Sequence, residues 1–204
     1  MIRKIEPTDI GRITELYYSN IKESFFSMFG KDFLRLVLEA MLTCEFTIGY
    51  VLELNRNVEG FIIGTTDTPK LFRNVLYKKW SKLLLNVFVV LRKPAIFKQV
   101  LDSFNYSDKT HIEDTEAELL FIAIESGYRN KDFGKMLINR ALQEIKNRGI
   151  EKVKVSTLNS NEVVNKMLEN FGVKLEKEFK FYGKKMKLYT LELKYPTPAF
   201  NSEA

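Results

Sequence analysis

The pattern of apolar residues predicts a mixed α/β fold, one sheet of parallel and antiparallel strands with helices on both faces. Three features carry that expectation. "AELLFIAI", Ala117–Ile124, is a mostly apolar run bounded by charge, as a central strand requires. It leads through a glycine-containing turn into an amphipathic helix. Two stretches elsewhere alternate apolar and polar residues around turn residues and read as hairpins.

Taken in order, "MIRKIE" is a short strand. "PTDIGRITELYYSNIKESFFSMFG" follows as a helix, with Thr8 or Asp9 as cap, apolar residues at Ile10, Ile13, Leu16, Tyr17 and Ile21, and Gly30 as stop. "KDFLRLVLEAML" is a second amphipathic helix. "FTIGYVLELNRNVEGFIIGTTD" is a hairpin turning at Asn55–Asn57. Residues 68–109 read as helical with a break at Pro94. After the central strand, a helix over Lys131–Arg148 puts Met136, Leu137, Ala141, Leu142 and Ile145 on one face, closed by Gly149. "EKVKVSTL" is a strand. "SNEVVNKMLENFG" is a short helix with Asn159 or Ser160 as cap and Gly172 as stop. "VKLEKEFKFY" and "KMKLYTLELKY" form a second hairpin meeting at "GKK". The expected organisation is a single domain over 1–195, a helical insertion at about 68–110, and a C-terminal tail at 196–204.

Composition narrows the function. An apolar content of 45% and a charged content of 28% belong to a globular protein with a real core. A net charge of +6 suits an anionic ligand and does not call for nucleic acid. With Cys44 the only cysteine, no internal disulfide framework forms. With His111 the only histidine, no conventional zinc site is expected, and any Ser-His or Cys-His pair would have to use it. No apolar core follows the basic start, and the longest apolar stretch, Leu83–Leu91, falls short of the roughly 20 residues that span a bilayer. A cytoplasmic protein is the expectation.

The stretch "IESGYRNKDFGKML", Ile124–Leu137, has the look of an anion-binding junction, where free N–H groups and the dipole of a helix start favour negative charge. It is not a P-loop, since Gly134-Lys135-Met136 offers no hydroxyl for magnesium. "AELLFIAIESGYRNKDFGKMLINRAL" resembles the acyl-CoA-binding strand, loop and helix of the GNAT superfamily of acetyl-CoA-dependent N-acyltransferases. The loop of that superfamily has the form Gln/Arg-x-x-Gly-x-Gly/Ala. Here it is Arg129-Asn130-Lys131-Asp132-Phe133-Gly134, and the element order from "IRKIEPTDIGRITEL" to "LYTLEL" matches as well. The resemblance implies a GNAT fold; it does not cover residues 68–109, which stand as a helical insertion between the third and fourth strands. It implies acetyl-CoA as co-substrate, without a metal. It also implies a cofactor site at Phe121, Ile122, Ala123 and Ile124 of the strand and at Arg129, Asn130, Lys131, Asp132, Phe133, Gly134 and Lys135 of the loop.

Asp132 replaces the first glycine of that pattern. Aspartate tolerates positive φ at a cost of about 1 kcal/mol. At roughly 7 Å it repels a phosphate charge by about 0.6 kcal/mol in water-like surroundings and about 2.4 kcal/mol at an effective dielectric of 20. Arg129, Lys131 and Lys135 lie in the same turn and outweigh it, so binding is weakened and not abolished.

For the chemistry, Glu118 is the candidate base. "AELLFIAI" is similar to the histone-acetyltransferase branch, in which a glutamate at this strand position deprotonates the amine through water. Partial desolvation would raise its pKa usefully. Glu116 and Glu113 are weaker alternatives, and simple solvation at the strand's end is the plain one. The family's Asn-x-x-Ala-x-x-x-Tyr pattern maps onto "NEVVNKMLENFGV" with Asn161 as the asparagine, a cofactor contact or a helix cap. Leu168 stands where the tyrosine acid would be. Tyr182 and Tyr189 are substitute donors, or aromatics that pack the sheet. His111 reads as a surface residue, with a pocket role as the alternative, and Cys44 as buried and inert.

From Lys70 to Lys98 eight Lys/Arg occur with no Asp/Glu, interleaved with Phe72, Tyr77, Trp80, Phe88 and Phe97. Such a surface suits an anionic amine acceptor such as a nucleotide-linked amino sugar, or a membrane interface; the plain alternative is a helical hairpin that packs on the sheet or forms a homodimer contact, with its lysines solvated. The terminal "FKFYGKKMKLYTLEL" resembles members from bacterial polysaccharide pathways, which favours a sugar amine. The expected activity is N-acetylation of a small-molecule primary amine by direct attack in a ternary complex. The alternatives are a protein or peptide N-acetyltransferase, and a non-catalytic acyl-CoA-binding module.

Overall fold

A computed structural model describes residues 1–21, 24–75, 77–78 and 106–193. Seven strands form one sheet in the order β1-β2-β3-β4-β5-β7-β6. They are β1 (Ile2–Lys4), β2 (Thr47–Leu54), β3 (Asn57–Thr65), β4 (Glu118–Ile124), β5 (Lys152–Leu158), β6 (Lys174–Phe181) and β7 (Lys184–Glu192). All neighbours are antiparallel except β4 and β5. Four longer helices flank them: α1 (Ile10–Asn20), α2 (Lys31–Leu42), α3 (Phe133–Asn147) and α4 (Glu162–Glu169). The fold class is the expected mixed sheet.

Strand alternation sends side chains to two cores. Val51, Phe61, Ile63 and Ala123 pack with Ile13, Leu16 and Tyr17 of α1 and Leu34, Val37, Leu38 and Met41 of α2. Ile48, Tyr50, Leu52, Ile62 and Leu119 pack on the other face with Leu137, Ile138, Ala141, Leu142 and Ile145 of α3. Each fully buried side chain of this kind contributes about 1.5–3 kcal/mol.

Several boundaries differ from expectation. The first helix stops at Asn20, not Gly30, and a short 3-10 turn at Phe26–Phe29 follows. Asn20 Nδ2 donates to the Leu16 carbonyl and Ser27 Oγ to that of Ile21. These side chains satisfy carbonyls that a longer helix would have used itself. The first hairpin turns on Asn55 and Arg56, both at positive φ. The last turns on Tyr182 and Gly183, at φ 50° and 74°, while Lys184 and Lys185 begin β7. Two left-handed residues in succession are what a two-residue hairpin turn requires.

Residues 68–75 are helical, and one turn at Tyr106–Lys109 precedes β4. Most of the basic segment, including the break foreseen at Pro94, lies outside the described residues, as does the tail at 196–204. Among the described residues no helix is long and apolar enough to cross a membrane.

Candidate active site

β4 is paired differently along its length. On the β3 side it is bonded throughout, with one irregularity: Ile63 opposes Phe121 and Gly64 opposes Leu119, so Leu120 is an extra residue. Gly64 permits that bulge. A Cβ there would lie 3.0 Å from the Glu118 carbonyl and 3.2 Å from Leu119 Cδ2. On the β5 side only Glu118–Lys154 and Leu119–Val155 are in register. Beyond them β5 continues against β7 as far as Leu158. The sheet therefore forks after Leu119, and Leu120–Ile124 have no strand partner on the β5 side among the described residues. Alternate residues of an extended strand turn their N–H and C=O groups to one side, so this edge can pair with an extended ligand. Phe121, Ile122 and Ile124 are half-buried along it and Ala123 is buried.

The mouth of the fork is the loop from Ile124 to α3. Glu125 anchors its start. The Glu125 N–H donates to the Glu59 carbonyl, and its carboxylate accepts from Ser126 N at 2.9 Å and pairs with Arg12 at 3.1 Å. The Ser126 N–H, more than any other group, holds the Glu125 carboxyl below the usual range. Asn130 and Asp132 both take positive φ, and Asp132 at φ 56°, ψ 0° is the N-cap of α3. Asp132 thus adopts the left-handed geometry the glycine position calls for. Its side chain makes no cap hydrogen bond and pairs instead with Lys135 Nζ at 2.7 Å. The N–H groups of Phe133, Gly134 and Lys135 belong to the first turn, whose donors have no partner inside the helix. Arg129, Asn130 and Lys131 are exposed around them, with Arg129 bonded to Asn20 Oδ1 and Lys131 over the Tyr128 ring. The chemistry of this set, oriented N–H donors plus cations, fits a diphosphate.

The apex of the fork is closed and polar. Glu118 is 1% exposed, whereas Glu116 and Glu113 are exposed. The Glu118 carboxylate accepts from Tyr106 Oη at 2.5 Å, Thr68 Oγ1 at 3.0 Å and Ser156 Oγ at 3.4 Å. Tyr106 Oη and Ser156 Oγ are themselves 3.1 Å apart. Burial pushes the Glu118 carboxyl up, against the opposing influence of Lys154 and the three hydroxyls. Burial also raises the Tyr106 phenol well above its usual range, followed by the adjacent Glu118 charge. Aromatic rings line this end. Tyr106 packs on Phe181 at 4.8 Å, Phe181 meets Tyr182 at 3.8 Å, and Tyr182 stacks on Phe25 at 5.1 Å.

Tyr182, at the β6–β7 turn, is one of the rings of this end and acts electrostatically on the Tyr106 phenol. The remaining expected residues lie elsewhere. Tyr189 is buried in β7, and its hydroxyl donates to Asn165 Oδ1 at 3.1 Å. Asn165 in turn donates to the carbonyls of Leu158 and Asn159. Asn161 caps α4, accepting from Val164 N at 3.3 Å. Leu168 and Cys44 are buried, and His111 is exposed. Sequence reasoning missed Thr68, Tyr106 and Ser156 because nothing local marks three hydroxyls from separate segments as neighbours. Among the described residues no group of three or more His, Cys, Asp or Glu is placed to hold a metal ion.

A model of the acetyltransferase (GNAT) family matches residues 19–173. Comparison with curated proteins gives no match. Among solved structures, the chain is similar to an N-acetyltransferase from Staphylococcus aureus Mu50, with 20% identity, 95% of this chain and 98% of that one covered and a TM-score of 0.64. The ribosomal-protein-S18-alanine N-acetyltransferase from Escherichia coli is similar at 13% identity, with 98% and 97% covered and a TM-score of 0.61. So is the yncA structure from Salmonella typhimurium with its cofactor acetyl-CoA, at 16% identity, with 96% and 95% covered and a TM-score of 0.61. The chain belongs to the GNAT acetyltransferase family.

Proposed function

We propose that this member of the GNAT acetyltransferase family moves an acetyl group from acetyl-CoA to the primary amine of a small molecule, by direct attack within a ternary complex. The observation that carries the reading is the fork. The edge of β4 at Leu120–Ile124, without a strand partner on the β5 side among the described residues, joins a donor-rich, cationic loop at one end to a buried carboxylate at the other. An extended acyl carrier with a diphosphate head matches the first two features, and an amine that must lose a proton matches the third.

In this reading Phe121, Ile122, Ala123 and Ile124 hold the pantetheine arm through their backbone, and a backbone N–H of the same edge polarises the thioester carbonyl. Arg129, Asn130, Lys131, Phe133, Gly134 and Lys135 hold the diphosphate, with Asp132 setting the turn. Glu118 is the base. Its raised pKa brings it closer to that of the proton it takes. An amino sugar or nucleotide-linked amino sugar is the acceptor that the basic composition of 70–98 favours.

The experiment is to incubate the purified protein with acetyl-CoA and a panel of amines: glucosamine, a nucleotide-linked amino sugar, spermidine, benzylamine, and peptides with a free N-terminus or an internal lysine. Free CoA thiol is measured. Release with the small amines supports the reading. Release with peptides alone assigns the protein-directed activity instead. Acetyl-CoA binding without release from any acceptor leaves a binding module. Burial of Glu118 beneath Tyr106 is the one observation that favours that last outcome.

A further inference from the structure

The proposed reaction needs two proton movements, and the residue at the family's tyrosine position is Leu168. Glu118, the base, is 1% exposed, and its carboxylate accepts from three hydroxyls. We propose that Tyr106 is the proton-relaying residue of this site, passing the amine proton to Glu118 and returning it to the departing thiolate. This inference rests on the acetyl-transfer reading above.

Of the three residues whose hydroxyls reach Glu118, Tyr106 makes the shortest contact, at 2.5 Å. Its Oη bonds both to Glu118 of β4 and to Ser156 of β5. Ser156 is the first residue of β5 beyond the last β4–β5 pair, Leu119–Val155, so the phenol stands at the point where the strands part. The ring is held by Phe181 at 4.8 Å and Phe72 at 6.5 Å. The backbone is pinned where Thr110 donates to the Tyr106 carbonyl from both N and Oγ1 at 2.9 Å. By contrast, the Tyr189 hydroxyl is spent on Asn165. A phenol held protonated by burial and by a neighbouring carboxylate is a poor base alone. It can take one proton only while giving up its own.

The step balances. The neutral amine nitrogen attacks the thioester carbonyl carbon. The C–N bond forms and the C–S bond breaks, its electron pair leaving with sulfur. The N–H proton passes to Tyr106 Oη as the phenol proton passes to Glu118. The thiolate then takes the phenol proton, and Glu118 returns its proton to Tyr106. The products are amide and free thiol, with both side chains restored and no outside acid required.

The test compares the native protein with Tyr106→Phe, Glu118→Gln and the double variant. The assay is thiol release from acetyl-CoA with the amine of the panel that reacts fastest. Tyr106→Phe keeps the ring and its packing. Thermal melting and the acetyl-CoA Kd report whether it folds. The expected result is a loss of about 100-fold or more in kcat for each single variant, with Kd within about two-fold. The double variant should be no slower than the slower single one, because the two groups act as a unit. A Tyr106→Phe rate within about three-fold of native, beside an inactive Glu118→Gln, overturns the relay and leaves the base in place. Losses that multiply in the double variant also overturn it. Near-native rates in both single variants remove Glu118 as base along with the relay. Absence of thiol release from the native protein, with acetyl-CoA bound, overturns the acetyl-transfer reading and the relay together.

Discussion

The two ends of β4 differ in how they are built. At its C-terminal end the strand has no partner on the β5 side among the described residues and runs into an exposed loop, where the proposed binding groups are backbone N–H donors and cations within a few residues of one another. At its N-terminal end it is flanked by strands on both sides, and Glu118 is enclosed by hydroxyls from residues 68, 106 and 156. One end is a local device that a short sequence specifies. The other exists only after distant segments converge. Binding and chemistry should therefore be separable by mutation.

The sharpest separation is Glu118→Gln. Acetyl transfer should fall about 10²–10⁴-fold while acetyl-CoA binds with Kd within about two-fold, measured by thiol release and calorimetry. A parallel loss of binding would mean that the two ends are not independent. The reverse experiment is Arg129→Ala with Lys131→Ala. Kd for acetyl-CoA should rise about ten-fold at low salt, less as salt increases, with kcat at saturation within about two-fold.

Gly64→Ala acts on the hinge between the ends. The added methyl meets the Glu118 carbonyl at 3.0 Å, so β3 or the bulge must shift. Denaturant unfolding should show a loss of about 1–3 kcal/mol. Unchanged stability would show that the bulge can slide.

The closed end also has a pH signature. The Glu118 carboxyl is raised in the folded state from an ordinary value of 4.5, so between that value and its folded pKa the native protein binds the extra proton. Stability from this group is complete below the ordinary value and declines as pH rises above it. Glu118→Gln should flatten that decline in stability-versus-pH measurements. Asp9, held low chiefly by Arg3, acts oppositely, and its contribution is lost as pH falls. The smallest effect is expected from Asp132→Gly. It removes a carboxylate from the loop and relieves a left-handed residue, and acetyl-CoA affinity should improve about two- to five-fold.

Much of the fold was legible because it is written in short-range patterns. The alternation of "TIGYVLEL" and the helical spacing of "KDFLRLVLEAML" reappear as β2 and α2. The misplaced helix end at Asn20 and the turn at Tyr182 depend on side-chain capping and two positive φ values, which compete with propensity on nearly equal terms. At the candidate site, the loop Arg129–Lys135 and the presence of Glu118 could be read directly. So could the capping alternative for Asn161, but the full burial of Glu118 and the bond between Tyr189 and Asn165 could not.

By itself the sequence determined most of the strands and helices and an anion-receptive helix start at which Asp132 tolerates a left-handed turn, because each rests on interactions within a few residues. Only the tertiary structure decided that β4 and β5 separate after Leu119, and that Thr68, Tyr106 and Ser156 meet on Glu118. Those contacts join residues 38, 12 and 50 positions away from Glu118. Contacts over such separations form only after the chain has bent back on itself, and local residue pattern carries no record of them.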